Sequence, residues 1–355
     1  MRTVVLSEFD LARWRAEFAA GRRPTALPYG VEALQERGHV LGSASDPAGP
    51  VGRKVRDVAL HRLGFPIDRA VRAAPKVAGA DLVLALLERQ GYAAAWARRL
   101  HLWPYAARPL VLWTCWLADD LSRMAPDDRR ALVATLRHVP LVTHLARSET
   151  AILLDAGLSA EQLFPVTYGV AHHFYTPDPA VEQDLEIVAV GQDRGRDYRS
   201  LFEAVRDTRL RVDVWCRPGN LDGLDVPANV TVHPPVDHLT YRDVLRRAKV
   251  VAVPTVELAY PTGSSVTLEA SSCGACVVTS STRSMREYVT DGATGRLVGV
   301  GDVDGWRDTL TTLLADDDER ARLGAGARRG VEERHNTRFM WRELDDVMRT
   351  RGVVT

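Results

Sequence analysis

The sequence predicts an α/β protein of two domains, each a parallel sheet covered by helices on both faces, with a central cleft between them. Three observations predict it. The chain has 355 residues, which fits two domains of ordinary size. Short apolar runs alternate with helical segments along its whole length, the pattern of parallel strands joined by crossover helices. The alternation stops once, at the Pro- and charge-rich stretch YTPDPAVEQ between Phe174 and Asp184, and then restarts. A cleft between two such domains is the default binding site.

Each element has a local signal. In the first half, strands are predicted at 3–6, 39–41, 81–86, 109–113, 141–143 and 162–166, all short apolar runs. Helices are predicted at 13–21, 31–37 behind Pro28, 51–74, 92–100, 125–137 and 148–156. In the second half, strands are predicted at 185–190, 211–215, 231–232, 250–253, 275–278 and 296–298. Helices alternate with them at 198–206, 241–248 and after the loop 262–265, and at 303–315, 318–334 and 338–349. A break at His335-Asn336-Thr337 sets off the last helix. The expected division is 1–175, 176–336 and a terminal segment 337–355.

Composition excludes several classes. The formal net charge is zero, so nothing global points to nucleic acid or an acidic surface. Lysine is nearly absent and arginine carries the positive charge, a compositional bias that gives surplus arginine no meaning by itself. The pair Cys273 and Cys276 has redox-like spacing, but it falls on a helix end and an apolar strand, where cysteine is a small hydrophobe. No signal-peptide pattern and no membrane-length apolar run is seen, and a reduced cytoplasmic protein is expected. The basic stretch 51–76 can be read as a membrane-facing surface or as a solvated helix pair; the second is preferred because Asp57, Gly64, Pro66 and Asp68 interrupt it.

The stretch Tyr260–Gly295 is the most informative. The loop Thr262-Gly263-Ser264-Ser265 opens a helix, and Glu269 lies about one turn inside it. A helix start presents unpaired N–H groups and a positive dipole end, which suits a phosphate. A carboxylate one turn further in can accept hydrogen bonds from ribose hydroxyls. An ordinary capped helix with an exposed glutamate fits the same residues.

The second half, taken with the end of the first, resembles family 4 of the retaining glycosyltransferases, which have the GT-B fold of two Rossmann-like domains. The resemblance rests on an ordered set: VTYGVAHHFYTP at 166–177, VAVG at 188–191 followed by RDYRSLFEAV, LEASSCGACVVTS, REYVTDGATGRLV at 286–298, and a final helix with Trp341. It implies a C-terminal nucleotide-sugar domain, an N-terminal acceptor domain, and a last helix packing back on the first domain. Gly191 matches the family's glycine turn and Arg196 its basic residue. Arg194 stands in loosely for a second one, since Gln192 holds that one's place. Glu269 matches the ribose-binding glutamate, and the N–H groups of Gly263, Ser264 and Ser265 are implied to face the donor.

Two positions depart from the family pattern. Pro261 stands where a second glutamate is common, and Thr114-Cys115-Trp116 stands where a histidine is common. Candidate acceptor residues are therefore Trp116, Asp119, Asp120 and His172, each with an ordinary structural alternative. The resemblance implies a nucleotide-diphosphate-sugar co-substrate, no other cofactor and no essential metal. It also implies a reaction in which the leaving phosphate takes the acceptor proton. The leading expectation is transfer to a small molecule such as a specialised metabolite. The rivals are a lipid or polysaccharide precursor as acceptor, and a binding protein that has lost turnover.

Overall fold

A computed structural model describes residues 1–44, 54 and 67–354. The chain divides into two compact units, 1–167 with 340–355, and 168–339.

Unit 1 holds a six-stranded parallel sheet: β1 (Arg2–Leu6), β2 (Val40–Ser43), β3 (Leu82–Leu86), β4 (Leu110–Trp113), β5 (Leu141–His144) and β6 (Leu163–Pro165). Their order is β2-β1-β3-β4-β5-β6. β3, LVLAL, and β4, LVLW, are buried throughout, as strands covered on both faces must be. The crossovers include α1 (Leu11–Ala19), α2 (Ile67–Ala78), α3 (Glu88–Arg99), α4 (Leu117–Arg123), α5 (Pro126–Leu136) and α6 (Ser148–Asp155).

Unit 2 repeats the plan with β7 (Leu185–Val190), β8 (Val212–Trp215), β9 (Val230–His233), β10 (Ala248–Val253), β11 (Cys276–Ser280) and β12 (Arg296–Val298). The order is β12-β11-β10-β7-β8-β9. The chain winds outward from β7 to β9, returns to the middle at β10, and winds the other way. Neighbours β7 and β10 therefore send their following loops to opposite faces and leave a crevice at their carboxyl ends. Its helices are α7 (Tyr198–Val205), α8 (His238–Arg247), α9 (Ser264–Ser272), α10 (Val303–Ala315) and α11 (Asp317–Glu333). Apolar clusters fill both sides of the sheet, around Phe202, Leu310 and Trp306 on one and Tyr175, Val266 and Leu245 on the other.

Some expectations are corrected, while the last helix packs back on the first unit. The segment 168–175 belongs to unit 2. Val170 bridges Asn336, and Arg328 donates to the carbonyls of His172 and Tyr175. The terminal helix α12 (Thr337–Thr350) passes from one unit to the other, and unit 1 resumes at Met340. Trp341 there donates to the Tyr29 carbonyl at 2.8 Å, and Asp345 meets His39 and Arg37. The segment expected as a helix at 31–37 is instead a 3-10 stretch, Pro28–Arg37, with Tyr29 and Gly30 left-handed. In the basic stretch, 51–66 lies outside the described residues except Lys54. Within α2, Arg69 turns inward and donates to the Glu8 and Phe9 carbonyls. Among the described residues no helix is long and apolar enough to cross a membrane.

Candidate active site

The loops after β7 and β10 meet at the crevice of unit 2. The first runs Gly191-Gln192-Asp193-Arg194-Gly195-Arg196 and leads into α7, capped by the Asp197 side chain on the Ser200 N–H at 3.1 Å. The second runs from Pro254 to Gly263 and leads into α9. Short backbone bonds join them: Val256 N–H to the Gly195 carbonyl at 2.9 Å, and Asp197 N–H to the Pro254 carbonyl at 3.0 Å.

Asp193 ties the loops through its side chain. It accepts from the Tyr260 hydroxyl at 2.6 Å, the Thr262 hydroxyl at 2.9 Å and the Gly195 N–H at 2.8 Å. Burial opposes its ionisation, yet these bonds and the Arg196 charge hold its carboxyl below the usual range. Sequence reasoning missed Asp193; its signal was the Asp-x-Gly turn Asp193-Arg194-Gly195.

Arg196 threads between two glycines. A Cβ on Gly191 would overlap its guanidinium, and a Cβ on Gly263 would lie 2.9 Å from its Nη1. Both glycines have positive φ, +154° and +89°. Nε and Nη1 of Arg196 are out of solvent, with no acceptor among the described residues. Gly263 is also the N-cap of α9, and no side chain caps that helix. A guanidinium therefore rests against the positive end of a helix. Two positive ends meet there with hydrogen-bond donors unused, and an anion is what satisfies both. The hydroxyls of Thr255 and Thr267, also buried, likewise find no partner among the described residues.

Ser264 is buried and Ser265 half-buried in the first turn of α9. Glu269 lies one turn on, half-buried, and accepts from the Tyr241 hydroxyl at 2.8 Å. Burial pushes its carboxyl up to about 7, against the opposing pull of Tyr241, Tyr175 and the Arg196 charge. Arg194 is exposed, its guanidinium 5.7 Å from the centre of the Tyr260 ring. Gly191, Arg196, Gly263, Ser264, Ser265 and Glu269 are thus brought together, with Arg194 at the rim. Pro261 contributes its carbonyl, which accepts from the Ser264 N–H at 3.1 Å.

The acceptor candidates fall elsewhere. Trp116 begins α4 in unit 1, after β4. Its N–H and that of Cys115 donate to Glu88, at 3.2 and 3.1 Å. Glu88 is a buried carboxylate that sequence reasoning missed, and burial raises its pKa. It follows Leu87, whose φ of +71° is strained for a side chain of that size. Asp120 bears electrostatically on Glu88. Asp119 is buried and paired with Arg123 at 2.9 Å, the arrangement of a helix brace and not of an open ligand. His172 belongs to unit 2. Its ring lies tilted against that of His173, centroids 3.8 Å apart, and burial together with neighbouring cations takes its pKa down to about 4, so it is neutral at pH 7.

The fold and this crevice define a class. Two parallel α/β units in one chain make the GT-B fold, shared with sucrose-phosphate synthase of Thermosynechococcus elongatus (TM-score 0.74, 16% identity, 99% of each chain). It is shared also with HepE of Anabaena solved with UDP and glucose (TM-score 0.71, 14% identity, 99% of this chain and 100% of that one). At such identities the likeness shows the fold alone. Residues 221–330 match the family model described as glycosyl transferases group 1. Curated relatives are D-inositol 3-phosphate glycosyltransferases. That of Xylanimonas cellulosilytica is 42% identical over 119 residues, 34% of this chain. That of Mycobacterium bovis is 34% identical over 131 residues, 36% of this chain. The matched region spans 27% and 25% of those relatives' lengths.

Proposed function

We propose that the protein is a retaining glycosyltransferase that moves a sugar from a nucleotide-diphosphate-sugar to a small-molecule acceptor. One observation carries this reading: Nε and Nη1 of Arg196, without an acceptor among the described residues, set against the start of α9, which no side chain caps, in the crevice of unit 2. The diphosphate lies across that pair, and Glu269 accepts from the ribose hydroxyls beside it. As the sugar–phosphate bond breaks, negative charge grows on the leaving oxygens, and Arg196 with the α9 N–H groups stabilises it. Donors fixed before the reaction cost no reorganisation and are each worth on the order of 3 kcal/mol. Their fixity here comes from Asp193, which locks one loop to the other. The leaving phosphate accepts the acceptor's proton, so no side-chain base is assigned. The acceptor belongs with unit 1, near Trp116 and Asp120.

Uridine nucleotides are the first donors to try, because HepE was solved with UDP. Inositol phosphates join the acceptor panel, because the curated relatives carry that name. The test is incubation of the full chain with UDP-, GDP-, ADP- and dTDP-sugars and a panel of small polyols and phenolic or amino-bearing metabolites. Acceptor-dependent nucleotide release, with an axial anomeric bond in the product by NMR, supports the reading. Nucleotide binding without release from any donor overturns it in favour of a binding protein.

A further inference from the structure

One surface of unit 1 plays no part in the site above. α3 ends at Arg99 and continues as Leu100-His101-Leu102-Trp103 before the chain enters β4. Trp96, Leu100 and Leu102 are each nearly half exposed, and Trp103 is 73% exposed. Trp96 and Leu100, four residues apart, share a helix face, and Leu102 and Trp103 extend the patch into the loop. Large apolar groups grouped in this way need an apolar contact. The sequence around them is basic. From Arg89 to Ala118 the sequence has four arginines and one histidine, and no aspartate or glutamate. Arg89, Arg99 and His101 are exposed.

The helix residue before this loop, Arg98, and the segment after it, Ala106 to Pro109, line a groove of about 580 Å³ at the N-terminal ends of β4, β5 and β6. Arg98, Arg108, Arg137 and Arg351 line it against a single carboxylate, Glu161. Arg98, Arg137 and Arg351 donate to backbone carbonyls, at Tyr105, Gly157 and Glu161 among others, which fixes their place. The Arg351 charge acts on Glu161, and four guanidiniums thus share that one carboxylate. Burial without an opposing charge lowers the Arg98 pKa. Nε of Arg108 is buried without an acceptor among the described residues.

We infer that this end of unit 1 docks on an anionic lipid bilayer, with Trp103 and Leu102 entering the interface and the arginine groove receiving headgroup phosphates. Tryptophan and leucine beside arginine is the composition that partitions into the headgroup region. The absence of carboxylates along the loop matches a negative surface and would be wasted on a neutral one. The inference rests on no part of the nucleotide assignment.

The experiment is flotation of the full chain with vesicles of phosphatidylcholine alone and of phosphatidylcholine with phosphatidylglycerol. The doubly substituted Leu102→Ser, Trp103→Ser protein and the Arg108→Gln, Arg351→Gln protein run beside it. Leu102, Trp103 and Arg351 are exposed and Arg108 is half-buried, so circular dichroism with the melting temperature verifies that each variant is folded. Wild type is expected to float with the anionic vesicles only, and less at high salt, with each variant weakened by at least about tenfold. Wild type that stays in solution, or the serine variant floating as well as wild type, overturns the inference. So does a dimer in sedimentation velocity that Trp103→Ser abolishes, because the patch then belongs to a second copy.

Discussion

Arg196 passes over Gly191 so closely that a single added methyl at 191 would occupy the space of the guanidinium. The glycine is thus a clearance for one side chain, and the second clearance, at Gly263, lies on the other side of the same group. Gly191→Ala is expected to displace Arg196 and lower turnover on the order of 10²-fold while the fold survives. Steady-state kinetics with the far-UV spectrum checks this. Unchanged kcat would mean that the position of Arg196 does not matter.

Removal of the guanidinium separates binding from chemistry. Arg196→Ala should lower kcat by about 10²–10³-fold and raise KM for the donor much less, because the contact strengthens as charge develops. Glu269→Ala should do the reverse and act mainly on nucleotide affinity. Separate kcat and KM values decide, and equal effects on both constants in both variants would refute the division of labour.

The pH dependence of donor binding follows from Glu269. Burial pushes its carboxyl up to about 7, and the anion is the better acceptor for two ribose hydroxyls. Affinity for a nucleotide-sugar should therefore rise as pH increases through about 7 and level off above it. A sugar-capped diphosphate is the right probe, since a terminal phosphate adds its own ionisation near pH 6. Titration calorimetry from pH 5.5 to 8.5 should give a slope for wild type and a flat line for Glu269→Gln.

Stability has its own pH signature in unit 1. Asp345 is fully buried, accepts from His39 Nε2 at 2.9 Å, and is also paired with Arg37 and Arg349. Burial resists its ionisation, but those three partners hold its carboxyl below the usual range. Its contribution is present above the unfolded carboxylate pKa and is lost as pH falls through the lower folded value. Burial likewise lowers the pKa of His39 in spite of Asp345, so the fold keeps it neutral while the unfolded chain takes up a proton below about pH 6.5. The melting temperature should therefore decline on acidification below about 6.5, and His39→Gln should lessen that first decline, to which His144, His172 and His335, also lowered by burial, contribute. Asp345→Ala, which strands buried partners, should cost about 3–5 kcal/mol by denaturant unfolding.

Much of this was legible in the sequence because parallel strands buried on both faces are near-continuous apolar runs. All twelve strands among the described residues were anticipated, and Gly263-Ser264-Ser265 with Glu269 reads as a helix start with a carboxylate one turn in. What was hidden depends on contacts distant in sequence. Asp193 has the look of a turn residue, and only the fold brings Tyr260 and Thr262 to it. Glu88 has the look of a first-turn surface acid, and only sheet order sets it under the N–H groups of Cys115 and Trp116. The boundary was misplaced because Pro177 and Pro179 are conspicuous, whereas the pairing of Val170 with Asn336 leaves no local mark.

The most direct test of the account is titration calorimetry of the full chain with UDP-, GDP-, ADP- and dTDP-sugars, repeated on Arg196→Ala and Glu269→Ala. The account predicts saturable one-to-one binding of at least one donor, weakened at least about tenfold by Glu269→Ala, with both variants folded. Absence of binding by every donor, or equal binding by wild type and both variants, would contradict it.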